Sequence, residues 1–309
     1  MQTVIGSTGI IGRLTAKELI RYTDKIRLVS RNPVRVNNSD ELLQADVTDI
    51  NQMREAVSGS DVVYMTIGLA YNIKIWETQW PVIIRNVITA CLENNSKLVF
   101  FDNIYSLGYV NGWMKEDTIM KPVSRKGYVR KKLTEMIINA VEKNNLNAII
   151  LRGADFYGYN TLSFINLMVF ERLSRGKKPQ WLVNDMVKHS FTYTPDAGRA
   201  MAILGNTPDA YNQIWHAPTD NDVLNGKEII ALCEEAFGVK TGYSVIKKPV
   251  LKLIGLFNIN IKESIEMLYQ NEFDYLFDSS KFEKRFNIKP TMYKDGIYET
   301  TKFMENKRS

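Results

Sequence analysis

The sequence predicts an α/β protein built on a doubly wound parallel sheet, with a smaller, mostly helical second lobe. Three observations predict it. Short apolar runs without polar alternation recur through the first half, as strands buried on both faces require. Segments of helical periodicity separate them, which implies right-handed crossovers. A glycine-punctuated turn joins the first such run directly to the first helical segment.

The strand candidates are Thr3–Ile5, Ile26–Val29, Leu42–Leu43, Val62–Met65, Leu98–Phe101 and Ala148–Leu151. Between them Ile10–Arg21, Ile50–Val57, Trp76–Asn94 and Ser124–Lys143 carry helical spacing. The second half changes character. Leu162–Arg175 reads as a helix closed by Gly176, with basic residues in its last turn. Asn225 and Glu228 form a capping-box pattern for a helix through Phe237, stopped at Gly238. The expected organisation is a first domain over 1–158 that holds the sheet, with 188–218 returning to it. Residues 159–187 and 219–309 would form the smaller substrate-binding lobe.

Length and composition narrow the classes. The chain has 309 residues, 45% hydrophobic and 24% charged, which excludes a disordered or collagen-like chain. No apolar run approaches the roughly 20 residues of a membrane helix, and the first residues read as a fold element rather than a leader. A cytoplasmic location without membrane contact is therefore expected. Cys91 and Cys233 stand far apart in apolar helical stretches and read as buried free thiols. With two histidines and no Cys/His cluster, no metal site is expected. The net charge of +6 is spread along the chain, so nucleic acid is not expected as a partner. A small-molecule substrate is expected, with a homodimer as an option.

The run Gly6-Ser7-Thr8-Gly9-Ile10-Ile11-Gly12 carries the strongest chemical signal. Glycines there permit a tight turn, close backbone approach to a pyrophosphate and close helix–strand packing. The following helix start offers unpaired N–H groups and a positive dipole end to phosphates.

The G-x-x-G-x-x-G spacing resembles that of the short-chain dehydrogenase/reductase superfamily, and further matches run almost to the C-terminus. Asp46-Val47 looks like that family's adenine-contacting Asp, and Gly68 with Leu69 fits its cofactor-side loop. Tyr128-Val129-Arg130-Lys131-Lys132 matches the YxxxK motif. Leu151 to Gly158 resembles the R-x-x-N-x-Y-G stretch of the extended branch, the NAD-dependent epimerase/dehydratase family, and Phe191 to Asp196 its F-x-Y-V-x-D segment. The resemblance implies a Rossmann-type fold and nicotinamide chemistry.

After the second strand, where NAD enzymes place a carboxylate for the ribose 2′-hydroxyl, this chain has Ser30-Arg31-Asn32. A guanidinium and a hydroxyl suit a 2′-phosphate, with Arg35 assisting, so NADP is expected and NAD is the alternative.

Tyr128 and Lys132 are four apart on a predicted helix and so share a face. A neighbouring ammonium and an oxidised nicotinamide would favour the phenolate, letting Tyr128 exchange a proton while hydride moves. The resemblance also assigns Lys132 to the nicotinamide ribose. The family's catalytic Ser falls at Asn103, whose amide donates a hydrogen bond but cannot relay a hydroxyl proton. Ser106 or Tyr105 would supply the rest. Asp155 stands where the family usually has Asn, and His189 where many nucleotide-sugar enzymes have Arg. The leading expectation is an NAD(P)-dependent oxidoreductase acting on a carbonyl/alcohol pair. A nucleotide-sugar epimerase or dehydratase and a non-catalytic NADP(H)-binding sensor are the alternatives.

Overall fold

Residues 1–306 are described by a computed structural model, and their contacts divide into two compact units. The first comprises 1–108, 119–153 and 197–217. The second comprises 109–118, 154–196 and 218–306. Segments 109–118, 154–158 and 188–196, expected in the first domain, group with the second unit.

In the first unit the chain runs β1 (Gln2–Ile5), α1 (Ile10–Leu19), β2 (Ile26–Ser30), β3 (Glu41–Gln44), α2 (Ile50–Val57) and β4 (Val62–Met65). It continues through α3 (Ile73–Glu93), β5 (Lys97–Asn103), α4 (Arg125–Asn144) and β6 (Ala148–Gly153), and ends with α5 (Thr194–Gly205) and β7 (Gln213–His216). The seven strands form one sheet in the order β7-β6-β5-β4-β1-β2-β3, every pair parallel. The doubly wound α/β sheet is thus present. β7 is a strand that periodicity alone does not reveal, because Gln213 and His216 break the apolar run.

β4 and most of β6 are apolar on successive residues, and β1, β4 and β6 are wholly buried, as expected for strands covered on both faces. Val63, Met65, Leu98, Phe100 and Ile150 meet Trp80, Ile84, Val87, Leu133 and Ile137 from α3 and α4 in one core. Strand order reverses between β1 and β4, and the carboxyl ends flanking such a reversal leave a crevice. That topology positions the site described below.

The second unit has its own core, in which Tyr157, Phe170, Trp181, Phe191, Ile229 and Tyr293 pack together. Three short parallel pairs organise it: 155–157 with 191–193, 180–182 with 244–246, and 113–114 with 276–277. The capping box forms as the sequence predicts. Asn225 Oδ1 accepts from Glu228 N at 3.0 Å, and Glu228 Oε2 accepts from Asn225 N at 2.8 Å, opening helix Gly226–Ala236. The expected helix over 162–175 is shorter and irregular. Residues 166–170 form a π-turn before the α-helical Glu171–Ser174.

Candidate functional site

The β1–α1 turn is shaped by what cannot stand there. Gly6 has φ +87°, and a Cβ on it would lie 2.8 Å from Ile67 N. At Gly12 a Cβ would lie 2.5 Å from Gly6 O and 2.7 Å from Thr66 Oγ1. Both glycines therefore let α1 start tight against the ends of β1 and β4. Gly9 is the N-cap of α1 and brings no side-chain cap, so the first amides of the helix lack the usual protein acceptor. Only Gly6 O and Thr66 O fall within 4 Å of a Cβ built on Gly9, and Thr8 and Gly9 are exposed. Ser7 faces inward, its Oγ donating to Val29 O at 3.2 Å. Ile10 is half-buried and Ile11 buried. A dinucleotide pyrophosphate fits this cradle: open, glycine-lined and at the positive end of a helix dipole.

The end of β2 places Ser30 half-buried, its Oγ without a partner, and Arg31 exposed. Arg35, expected to assist Arg31, is engaged otherwise. Its Nη1 donates to Asn38 O (2.8 Å) and Asp40 O (2.7 Å), holding the β2–β3 loop closed. Asp46 at the exposed end of β3 accepts from Thr48 N and Thr48 Oγ1. Those two bonds, with a smaller contribution from the charge of Arg31, hold its carboxyl below the usual range. Val47 is half-buried beside it, and its carbonyl accepts from Asn86 Nδ2 at 3.1 Å. Gly68 is exposed and Leu69 half-buried in the loop after β4.

At the end of β5, Asp102 is buried and Asn103 half-buried. Asn103 Oδ1 accepts from Tyr105 N at 3.1 Å, which leaves its Nδ2 as a donor. Ser106 is fully buried, and Tyr105 stacks against Trp76. The bend past Asn103 brings Tyr105 O against Gly127 at the start of α4, where a Cβ would sit 2.6 Å away.

Helix α4 then decides which side chains face this corner. Ser124 caps it, its Oγ accepting from Gly127 N at 3.0 Å. Each residue advances about 100° around the axis, so Tyr128 lies about 200° and Lys132 about 240° from Lys126. Val129, Leu133, Ile137 and Ala140 are buried, and Lys126 and Arg130 share their face. Tyr128 is 62% exposed and Lys132 is exposed. The four-residue spacing thus gives Tyr128 and Lys132 one shared face, which the buried apolar stripe leaves exposed.

Lys126 and Arg130, also four apart, take the inner positions. Lys126 Nζ lies 4.5 Å from the centre of the Tyr71 ring, on the loop after β4. Arg130 Nε donates to Asp102 Oδ1 at 2.6 Å, and its guanidinium stands 4.7 Å over Trp80 and 5.2 Å over Phe100. A signal for this was present in the sequence: the apolar residues of α4 are in phase with 126 and 130.

In the second unit, His189 Nε2 and Asp155 Oδ2 are 2.9 Å apart, and the imidazole stacks between Phe191 and Tyr275. Among the described residues no cluster of three or more potential metal ligands occurs, and no helix is long and apolar enough to cross a membrane.

Comparison with known proteins agrees with this architecture. The profile of the NAD-dependent epimerase/dehydratase family matches residues 3–216. An uncharacterized protein of Sinorhizobium fredii is 25% identical over 214 residues, 66% of this chain, and this chain spans about half (52%) of its length. Among solved structures, UDP-glucose 4-epimerase from Thermotoga maritima superposes with a TM-score of 0.83 at 14% identity, covering 100% of both chains. UDP-N-acetylglucosamine 4-epimerase from Bacillus cereus gives 0.77 at 19%, covering 98% of this chain and 99% of that one. The dTDP-glucose 4,6-dehydratase of Streptomyces venezuelae, solved with NAD, gives 0.79 at 13%, covering 100% and 98%. These identities speak for the fold.

Proposed function

The chain belongs to the NAD-dependent epimerase/dehydratase family, and from that premise we propose that it moves hydride on a carbonyl/alcohol pair of a small-molecule substrate. The β1–α1 cradle carries this reading, because two glycines are sterically required and the helix start is left without a side-chain cap. NADP is the proposed cofactor. Ser30 and Arg31 end β2, and no carboxylate stands there to repel a 2′-phosphate.

When bound, the nicotinamide ring supplies the hydride acceptor or donor. The chain's own part lies at the ends of β4 and β5. Asn103 Nδ2 donates to the substrate oxygen, orienting it and stabilising charge that develops there. Lys126, on the inner face of α4 beside the Tyr71 ring, takes the proton-handling role in place of Tyr128. Arg130, neutralised by Asp102, positions Lys126 by fixing the rotation of the helix.

Kinetics of two variants test this, after a substrate screen of aldehydes, ketones and nucleotide sugars followed by nicotinamide absorbance and product analysis. Lys126→Met is expected to lose about 10²-fold or more in kcat, the usual scale of acid–base catalysis. Tyr128→Phe is expected to match the parent. The reverse pattern would return the chemistry to Tyr128. Product isomerised without net cofactor consumption would assign an epimerase, consistent with the similar solved structures.

One observation favours a second reading, a non-catalytic NADP(H)-binding sensor. Lys126 is wholly buried and Tyr128 faces outward, so neither presents a proton-transfer group to an open cleft as it stands. NADPH binding with no turnover across the screen would select that reading.

A further inference from the structure

We propose that the helical corner 247–262 of the second unit docks on an anionic lipid bilayer. Helix Lys248–Gly255 buries Leu251 and Gly255 inward. Its outward side should then be polar, as on ordinary surface helices. Instead Val250, Leu253, Ile254 and Phe257 recur at i, i+3, i+4 and i+7, and all are exposed. The helix is thus apolar on its outer face as well as its inner one.

The most exposed side chains stand at the bend into the next helix, Ile259–Ser264: Leu256 is 73% and Phe257 88% exposed, with Ile259 exposed beyond. Asn258 fixes that bend, its Oδ1 accepting from Asn260 N and Ile261 N. Large apolar side chains held at a fixed bend suit a deformable apolar layer, into which they sink without a matching pocket.

Charge selects the kind of layer. From Lys247 to Ser264, the end of the second helix, the chain carries four lysines against one carboxylate, Glu263. Lys248 is neutralised by Glu272, which leaves Lys247, Lys252 and Lys262 to meet anionic headgroups. No helix among the described residues can span a membrane, so the sequence gives no sign of membrane contact, whereas this corner would lie on the surface. The proposal is independent of the chemistry assigned to the first unit.

Co-sedimentation of the full chain with phosphatidylcholine vesicles, with and without phosphatidylglycerol, tests it. Binding is expected only to the anionic vesicles and should weaken with salt. Leu256→Ser/Phe257→Ser should lower partitioning at least about tenfold, since it removes the inserted carbon. Lys252→Glu/Lys262→Glu should lower it by about fivefold or more per lysine. These positions are exposed, so circular dichroism should be unchanged. No sedimentation with anionic vesicles, equal binding to neutral ones, or parental binding by the serine variant would each overturn the proposal. So would light scattering that shows a dimer converted to monomer by Phe257→Ser without any vesicle binding, which would make a second copy the occupant.

Discussion

The phase of helix α4 can be tested without a substrate by replacing Arg130 with Met. The Arg130 and Asp102 side chains are 5% and 0% exposed, and Nε meets Oδ1 at 2.6 Å. At that burial solvent screening is weak, and removing one partner leaves a charge that water cannot reach. Asp102 would keep only the Asn103 N–H at 2.8 Å and a long bond from Thr134 Oγ1 at 3.4 Å. The contacts of the guanidinium with Trp80 and Phe100 are lost as well, though the Met side chain refills part of that space. Breaking such a pair costs about 3–5 kcal/mol. Urea denaturation followed by tryptophan fluorescence measures it, with Lys132→Met as the control, expected within about 0.5 kcal/mol of the parent. Adding Asp102→Asn to Arg130→Met should recover about 1 kcal/mol or more, because the stranded charge is removed too. If Arg130→Met costs less than about 1 kcal/mol and Lys132→Met costs more, the inner face of α4 has been misassigned. The role given to Lys126 would then fall with it.

Three further outcomes are expected. Calorimetry should show NADPH binding more tightly than NADH, with the gap narrowed in Arg31→Ala by about one to two decades, the scale of one charge-assisted hydrogen bond; equal affinities in the parent would refute the assignment. Gly9→Val should fold, since few atoms crowd a Cβ there, yet lose cofactor binding because the side chain stands at the helix start; a folded variant that still binds would reduce the loop to a turn. Burial pushes the Cys91 thiol up to about 12 and Cys233 higher still, so neither should react with a thiol reagent at pH 8 until urea unfolds the chain. The same burial should make stability fall above the ordinary thiol range near pH 8.5, because only the unfolded state ionises there. Denaturation midpoints that stay flat between pH 8 and 11 would contradict it.

The sequence by itself determined six of the seven strands, the crossovers between them and the glycine turn that opens α1, because these rest on local chemistry. Continuous apolar runs such as Val62–Met65 have no option but a doubly covered strand, and glycine at Gly6 and Gly12 answers a steric demand of the chain's own backbone. The capping box of Asn225 and Glu228 is likewise complete within one turn. Tertiary packing decided what spacing cannot. The four-residue interval is the same for Tyr128–Lys132 as for Lys126–Arg130, so an interval says that two residues share a face but not which face is inner. That choice was made by Val129, Leu133 and Ile137 seeking the core and by buried Asp102 holding Arg130, a partner 28 positions away in the chain. Arg35 shows the same limit. Its charge was legible, but the two carbonyls that occupy it exist only once the β2–β3 loop has closed. The outward stripe of Val250, Leu253, Ile254 and Phe257 has the period of a core-facing helix, and only the fold shows that Leu251 and Gly255 had already taken the inside.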